Sequence, residues 1–85
     1  MRNVKFSPNA WEDYVYWQYT DKKTVKRINE LIKDCQRNPY EGIGKPEPLK
    51  GNLSGRWSRR INDSDRMVYQ VDDLNLIFLS LRYHY

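Results

Sequence analysis

The chain has 85 residues, with 39% hydrophobic and 14% aromatic content, enough for one packed core but not for two. Its one cysteine, Cys35, excludes an internal disulfide framework, and a single His and a single Cys exclude a His/Cys metal cluster, so neither a metal nor another cofactor is expected. Residues 1–6 carry Arg2 and Lys5 and no long apolar stretch, which points away from a signal peptide or membrane span and predicts a soluble, cytoplasmic protein.

Met1 to Phe6 reads as a short strand, and Ser7-Pro8 supplies an N-cap and a first-turn proline that start a helix. Trp11, Tyr14, Val15 and Gln18 or Tyr19 follow at helical spacing. Asp21 caps a second helix whose Val25, Ile28, Leu31, Ile32 and Cys35 form an apolar stripe opposite Lys26, Arg27, Lys33 and Asp34, and which ends before Pro39. On that stripe Cys35 is a packing residue rather than a nucleophile. From Pro39 to Gly55 the chain holds three of its four prolines and all four glycines, the composition of a long structured loop with one short strand. Three strands are then predicted, Trp57 to Asn62, Arg66 to Val71 and about Leu74 to Tyr83, divided by the turns Asp63-Ser64-Asp65 and Asp72-Asp73.

This order predicts a single α+β domain over residues 1–85: a short N-terminal strand and two helices packed on one face of a twisted, mainly antiparallel sheet. Alternation along the last strand would put Leu74, Leu76 and Phe78 on one face with Ser80, Arg82 and His84, running from apolar to polar. Three-residue hairpin loops would add Arg60 and Arg66 to that face, whereas a two-residue loop at Asp72-Asp73 would pair Arg66 with Tyr85. Periodicity does not choose between these registers.

The net charge of +4 is concentrated: residues 44–62 hold Lys45, Lys50, Arg56, Arg59 and Arg60 against Glu47 alone. Such a segment suits a polyanion such as nucleic acid, and by charge alone it reads equally as a solvated cationic loop. Cleaving RNA with side chains requires a base for the 2′-hydroxyl proton, cations for the phosphorane and an acid for the departing 5′-oxygen. Glu47, between Pro46 and Pro48, is a candidate base; Arg66, Arg60 and Lys50 are candidate phosphate ligands, with Arg59 and Arg82 as further RNA-contacting cations. An unperturbed imidazole titrates near pH 6.5, so His84 is the natural proton donor or acceptor, and Tyr85 can stack on a base or donate a hydrogen bond. The last apolar run, Leu76-Ile77-Phe78-Leu79, leads directly to Arg82-Tyr83-His84-Tyr85, as though the chain ended at its chemistry.

Several segments carry a resemblance: Lys45-Pro46-Glu47-Pro48-Leu49-Lys50, Asn52-Leu53-Ser54-Gly55, Trp57-Ser58-Arg59-Arg60-Ile61, Arg66-Met67-Val68-Tyr69 and Arg82-Tyr83-His84-Tyr85. With Trp11, Asp13-Tyr14, Tyr16-Trp17 and Ile28-Asn29-Glu30-Leu31-Ile32, they make essentially the whole chain resemble the YoeB/Txe family of RelE-type bacterial toxins. The resemblance implies a ribosome-dependent mRNA endonuclease acting in the A site through 2′-hydroxyl attack, with a 2′,3′-cyclic phosphate product. It implies Glu47 as general base, Arg66 as phosphate stabiliser, His84 as general acid and Tyr85 as a substrate-positioning group, with Lys50 and Arg60 in support. It further implies a YefM-type antitoxin, contact with DNA operators only through that complex, and a possible homodimer. Two other readings use the same residues: a noncatalytic RNA- or ribosome-binding module, and an interaction protein whose aromatics bind an acidic partner peptide.

Overall fold

A computed structural model describes residues 1–83; His84 and Tyr85 lie outside the described residues. The elements are β1 (Asn3–Phe6), α1 (Pro8–Thr20), α2 (Lys22–Arg37), β2 (Glu47–Pro48), a 3-10 turn (Gly51–Leu53), β3 (Arg56–Arg60), β4 (Arg66–Val71) and β5 (Asn75–Ser80). The strands form one sheet in the order β1-β5-β4-β3-β2. Every pairing is antiparallel except β1 with β5, where the first strand lies parallel to the last. The α+β architecture is as the sequence predicts.

Both helices start where local chemistry dictates. The Ser7 hydroxyl accepts from the Ala10 N–H at 3.1 Å, and the Asp21 carboxylate accepts from the Lys23 N–H at 3.1 Å. A side-chain cap of this kind contributes about 1 kcal/mol by satisfying an amide that the helix leaves unpaired. In α2, Ile28, Leu31 and Cys35 are fully buried, as the stripe requires. In α1 the inward face is only partly the one read from periodicity: Tyr14 packs against the core beside the buried Ala10 and Trp17, whereas Trp11 and Tyr19 are exposed. The Trp17 indole N–H donates to the Leu81 carbonyl at 2.9 Å, a buried bond that a ring on the opposite side of the helix could not make.

Against the helices the sheet presents Met67, Tyr69, Leu76 and Phe78, with Phe6 packed at their edge. Each side chain of this size contributes about 1.5–3 kcal/mol when fully removed from water. The last strand departs from the expected single face. Tyr69 stands opposite Phe78, but the next residue of β4, Val68, stands opposite Ser80, so Leu79 is an extra residue in β5. This β-bulge reverses the alternation: Phe78 faces the helices and Ser80 faces away from them. Its carbonyl is not orphaned, since Leu79 O accepts from the Ser7 hydroxyl at 3.2 Å and from the Asn9 amide at 3.1 Å.

The hairpin turn before β5 is also neither of the expected ones. The Asp72 N–H donates to Asn75 O at 3.0 Å, which leaves Asp73-Leu74 as the two central residues. The Asp72 carboxylate accepts from the Leu74 and Asn75 N–H groups at 2.9 and 2.7 Å and stays below its ordinary pKa because these amides hold its charged form. A two-residue turn followed by a bulge therefore puts Ser80 on the outer face with Arg60 and Arg66, as three-residue loops would have done, but leaves Leu76 and Phe78 on the helix side.

Candidate active site

The site lies on the sheet face opposite the helices. Antiparallel partners share a face, and the register places Glu47 beside Ser58, Ser58 beside Val68 and Val68 beside Ser80. The adjoining row pairs Arg60 with Arg66. Sequence separation disappears here: Arg66 Nη1 lies 3.3 Å from Glu47 Oε1, although the residues are 19 positions apart. The Arg66 side chain is only 14% exposed, while Glu47 is 54% exposed, so the cation is sheltered and the carboxylate is presented to solvent. That difference suits a guanidinium held for a phosphate and a carboxylate that must reach a hydroxyl.

Arg60 is exposed on the same face, and Lys50 is exposed two residues beyond β2. Arg66 beside Glu47 and Arg60 in register with Arg66 form a cationic rim on this face. Among the described residues, no group of three or more His, Cys, Asp or Glu is arranged to hold a metal ion.

Arg59 does not belong to this rim. It is fully buried on the helix side of the sheet, where Nη1 donates to Asp34 Oδ2 at 2.7 Å and Nε donates to the Tyr69 hydroxyl at 3.2 Å. It cannot serve as an RNA-contacting residue. The correction follows from alternation: Arg59 has the parity of Trp57 and Ile61, which point inward, whereas Ser58 and Arg60 point outward. Asp34 is likewise buried and not part of a solvated polar face. Its two cations, Arg37 first and then Arg59, hold the carboxyl down at about 2. Burial works against the charge of Arg59, but its hydrogen bonds with Tyr69 and Asp34 keep its pKa above the ordinary value. Burial pushes the neighbouring Cys35 thiol up to about 11 and the Tyr69 phenol up as well, so both remain protonated packing groups at neutral pH.

The chain approaches its end under several restraints. The Leu81 N–H donates to Asp13 Oδ2 at 2.9 Å, the Tyr83 N–H to Asp65 Oδ1 at 2.7 Å, and the Arg66 N–H to Tyr83 O at 3.1 Å. Arg82 is half-buried, its guanidinium 3.5 Å from the centre of the Tyr16 ring and 4.5 Å from that of Tyr83. It is engaged in this stack, and its predicted RNA contact would have to be made from there. Asp13, Asp65 and Tyr16 were not legible as positions that hold the chain end, since their partners are backbone N–H groups and a guanidinium distant in the chain. His84, the acid that the resemblance implies, and its neighbour Tyr85 lie outside the described residues; among the described candidates the structure brings together Glu47, Arg66 and Arg60.

Comparison with known proteins bears on the family and the fold. A family model described as the YoeB-like toxin of bacterial type II toxin-antitoxin systems matches residues 6–85. Toxin YoeB of Escherichia coli (strain K12) is 61% identical over 80 residues, covering 94% of this chain and 95% of the relative. Among solved structures, the YoeB dimer from Staphylococcus aureus superposes with a TM-score of 0.92 at 58% identity, over 99% of this chain and 98% of that one. YoeB in the heterotetrameric YoeB-YefM toxin-antitoxin complex of the same organism gives a TM-score of 0.90 at 57% identity, over 100% and 99%. Matches of this identity over almost the whole length, on a fold with the same two helices and sheet, show that the chain belongs to the YoeB-like toxin family of bacterial type II toxin-antitoxin systems.

Proposed function

We propose that the protein is an endoribonuclease that cleaves mRNA in the ribosomal A site, in the bacterial cytoplasm, by acid–base chemistry. The observation that carries this reading is the ion pair of Glu47 and Arg66 on an otherwise cationic sheet face. In the resting enzyme the two side chains partner each other. An RNA phosphate entering the face takes over the Arg66 guanidinium, and the Glu47 carboxylate is left next to the adjacent 2′-hydroxyl. Glu47 removes that proton, the 2′-oxygen attacks phosphorus, and Arg66, with Arg60 and Lys50 in support, stabilises the added negative charge. His84 protonates the 5′-oxygen as its bond to phosphorus breaks, leaving a 2′,3′-cyclic phosphate and a 5′-hydroxyl, while Tyr85 orients the substrate.

The same reading assigns partners. A YefM-type antitoxin neutralises the toxin, contacts with operator DNA are made only through that complex, and the toxin also forms a homodimer; the Staphylococcus aureus heterotetramer and dimer support this by likeness. The ribosome supplies a docking surface of phosphates for the basic segment.

Primer extension on a defined mRNA carried by programmed ribosomes tests the proposal. The wild type is expected to cut at the A-site codon only when ribosomes are present, and Glu47→Gln and His84→Ala are each expected to lose about 10²–10⁴-fold in rate, the usual worth of a positioned acid or base. Ribosome binding with an intact message would replace the nuclease by a noncatalytic RNA-binding module.

A further inference from the structure

The segment 38–46 has no helix or strand of its own, yet the carbonyls of Asn38, Pro39, Glu41, Ile43 and Gly44 are all held before the chain reaches Glu47. One guanidinium, that of Arg59, donates to three of its carbonyls: Asn38 O at 2.7 Å, Glu41 O at 3.1 Å and Ile43 O at 3.2 Å. The Tyr69 hydroxyl donates to Pro39 O at 2.7 Å, and Asp34 Oδ2 accepts from the Ile43 N–H at 2.9 Å. The loop fits over this cluster without room to spare. A Cβ at Gly42 would stand 1.9 Å from Asp34 Oδ2, and one at Gly44 would stand 2.7 Å from the Leu31 side chain.

The exit is as constrained as the body. Gly44 O accepts from the Arg60 N–H at 2.6 Å, and Lys45 then adopts φ 52°, a left-handed conformation unfavourable for a side-chain-bearing residue. Pro46 follows, and a proline further restricts the residue before it. Such strain persists only where the surroundings over-determine the backbone. Immediately beyond this point the chain enters β2, with Glu47 opposite Ser58, the residue next to Arg59.

We infer that the buried Arg59, Asp34 and Tyr69 clasp is a positioning device for Glu47, setting where its carboxylate stands relative to Arg66 and the reacting phosphate. The inference rests on the proposed role of Glu47 as general base. Arg59 is a positioning residue, because its guanidinium lies on the helix side of the sheet and acts through the loop it holds. The planar fork of arginine can serve three carbonyls, a carboxylate and a hydroxyl at once; a lysine ammonium keeps the charge and loses that geometry.

Arg59→Lys and Tyr69→Phe test the clasp, each first shown by thermal melting to be folded at the assay temperature. Two variants are used because either one alone could fail to fold. Single-turnover A-site cleavage is measured in the parent and in a Glu47→Gln background. Each variant is expected to slow the parent by about tenfold to 100-fold, the scale of a misplacement near 1 Å, and to change the Glu47→Gln enzyme by less than about twofold. Equal factors in both backgrounds would mean a general structural role and would overturn the inference. The ¹³C resonance of the Glu47 carboxylate is followed in parallel: it should move in the folded clasp variants, and an unmoved resonance overturns the inference as well. Should Glu47→Gln itself cleave at the parental rate, the base assignment fails, and the resonance still decides whether the clasp positions Glu47.

Discussion

Arg59 and Arg60 are adjacent on β3 and carry the same charge, yet the first is fully buried on one side of the sheet and the second is exposed on the other. The buried arginine spends all of its donor geometry inside the molecule, on Asp34, Tyr69 and the carbonyls of one loop. The exposed one pairs in register with Arg66, and two adjacent cations against the single carboxylate of Glu47 leave the face attractive to an anion from outside. A basic segment is therefore not a basic surface. Strand alternation divides its charges between an internal frame and an external site, and the frame is what holds the site's carboxylate-bearing loop.

The sharpest way to break this comparison is to remove each charge in turn. Arg59→Met leaves three loop carbonyls without their donor and Asp34 without its buried partner, and is expected to cost about 3–5 kcal/mol of stability. Arg60→Met, on the exposed face, is expected to cost about 0.5 kcal/mol or less. Urea unfolding midpoints compare the two directly, and similar losses would contradict the assignment of Arg59 to the interior.

Acid sharpens the contrast at a smaller scale. The Asp34 carboxyl sits at about 2 in the folded protein, held there first by Arg37 and then by Arg59, against an ordinary value of 3.8. A depressed folded-state pKa means the unfolded chain binds the proton more readily. The stabilisation is complete above about pH 4 and is lost as pH falls towards 2, and it amounts to about 2 kcal/mol. Asp34→Asn should flatten that part of the stability profile in a pH series of denaturant titrations; an unchanged acid limb would show that other carboxyls govern it.

The smallest effect belongs to the outer face. Arg60→Ala is expected to reduce the slope of log affinity for ribosomes against log salt by about 1, as one phosphate contact is lost. An unaltered slope would remove Arg60 from the RNA-facing set while leaving the fold untouched.

Much of this molecule can be read along the chain. Ser7-Pro8 and Asp21 mark both helix starts, Ile28, Leu31 and Cys35 mark the buried side of α2, and Arg66 to Val71 is a strand with the predicted ends. Glu47 and Arg66 were identifiable as candidates from charge and setting, although their contact was not. Arg59 was misread because the local density of cations suggested a surface, while the parity shared with Trp57 and Ile61 already pointed inward. No local signal announced the bulge at Leu79, since Leu76-Ile77-Phe78-Leu79 is apolar at every position and its two faces look alike in sequence.

The sequence by itself determined where helices begin and which stripe of α2 is buried, and it singled out Glu47 and Arg66 as candidates. These are properties of caps, periodicity and residue type within a few positions. Only the tertiary structure decided that β1 lies parallel to β5, that a bulge turns Ser80 to the outer face, that Arg59 meets Asp34 from 25 positions away, and that Arg66 meets Glu47 from 19. Those outcomes depend on register, and register is set when the two helices and the sheet close on one core, where shifting a strand by one residue would exchange every inward side chain for an outward one.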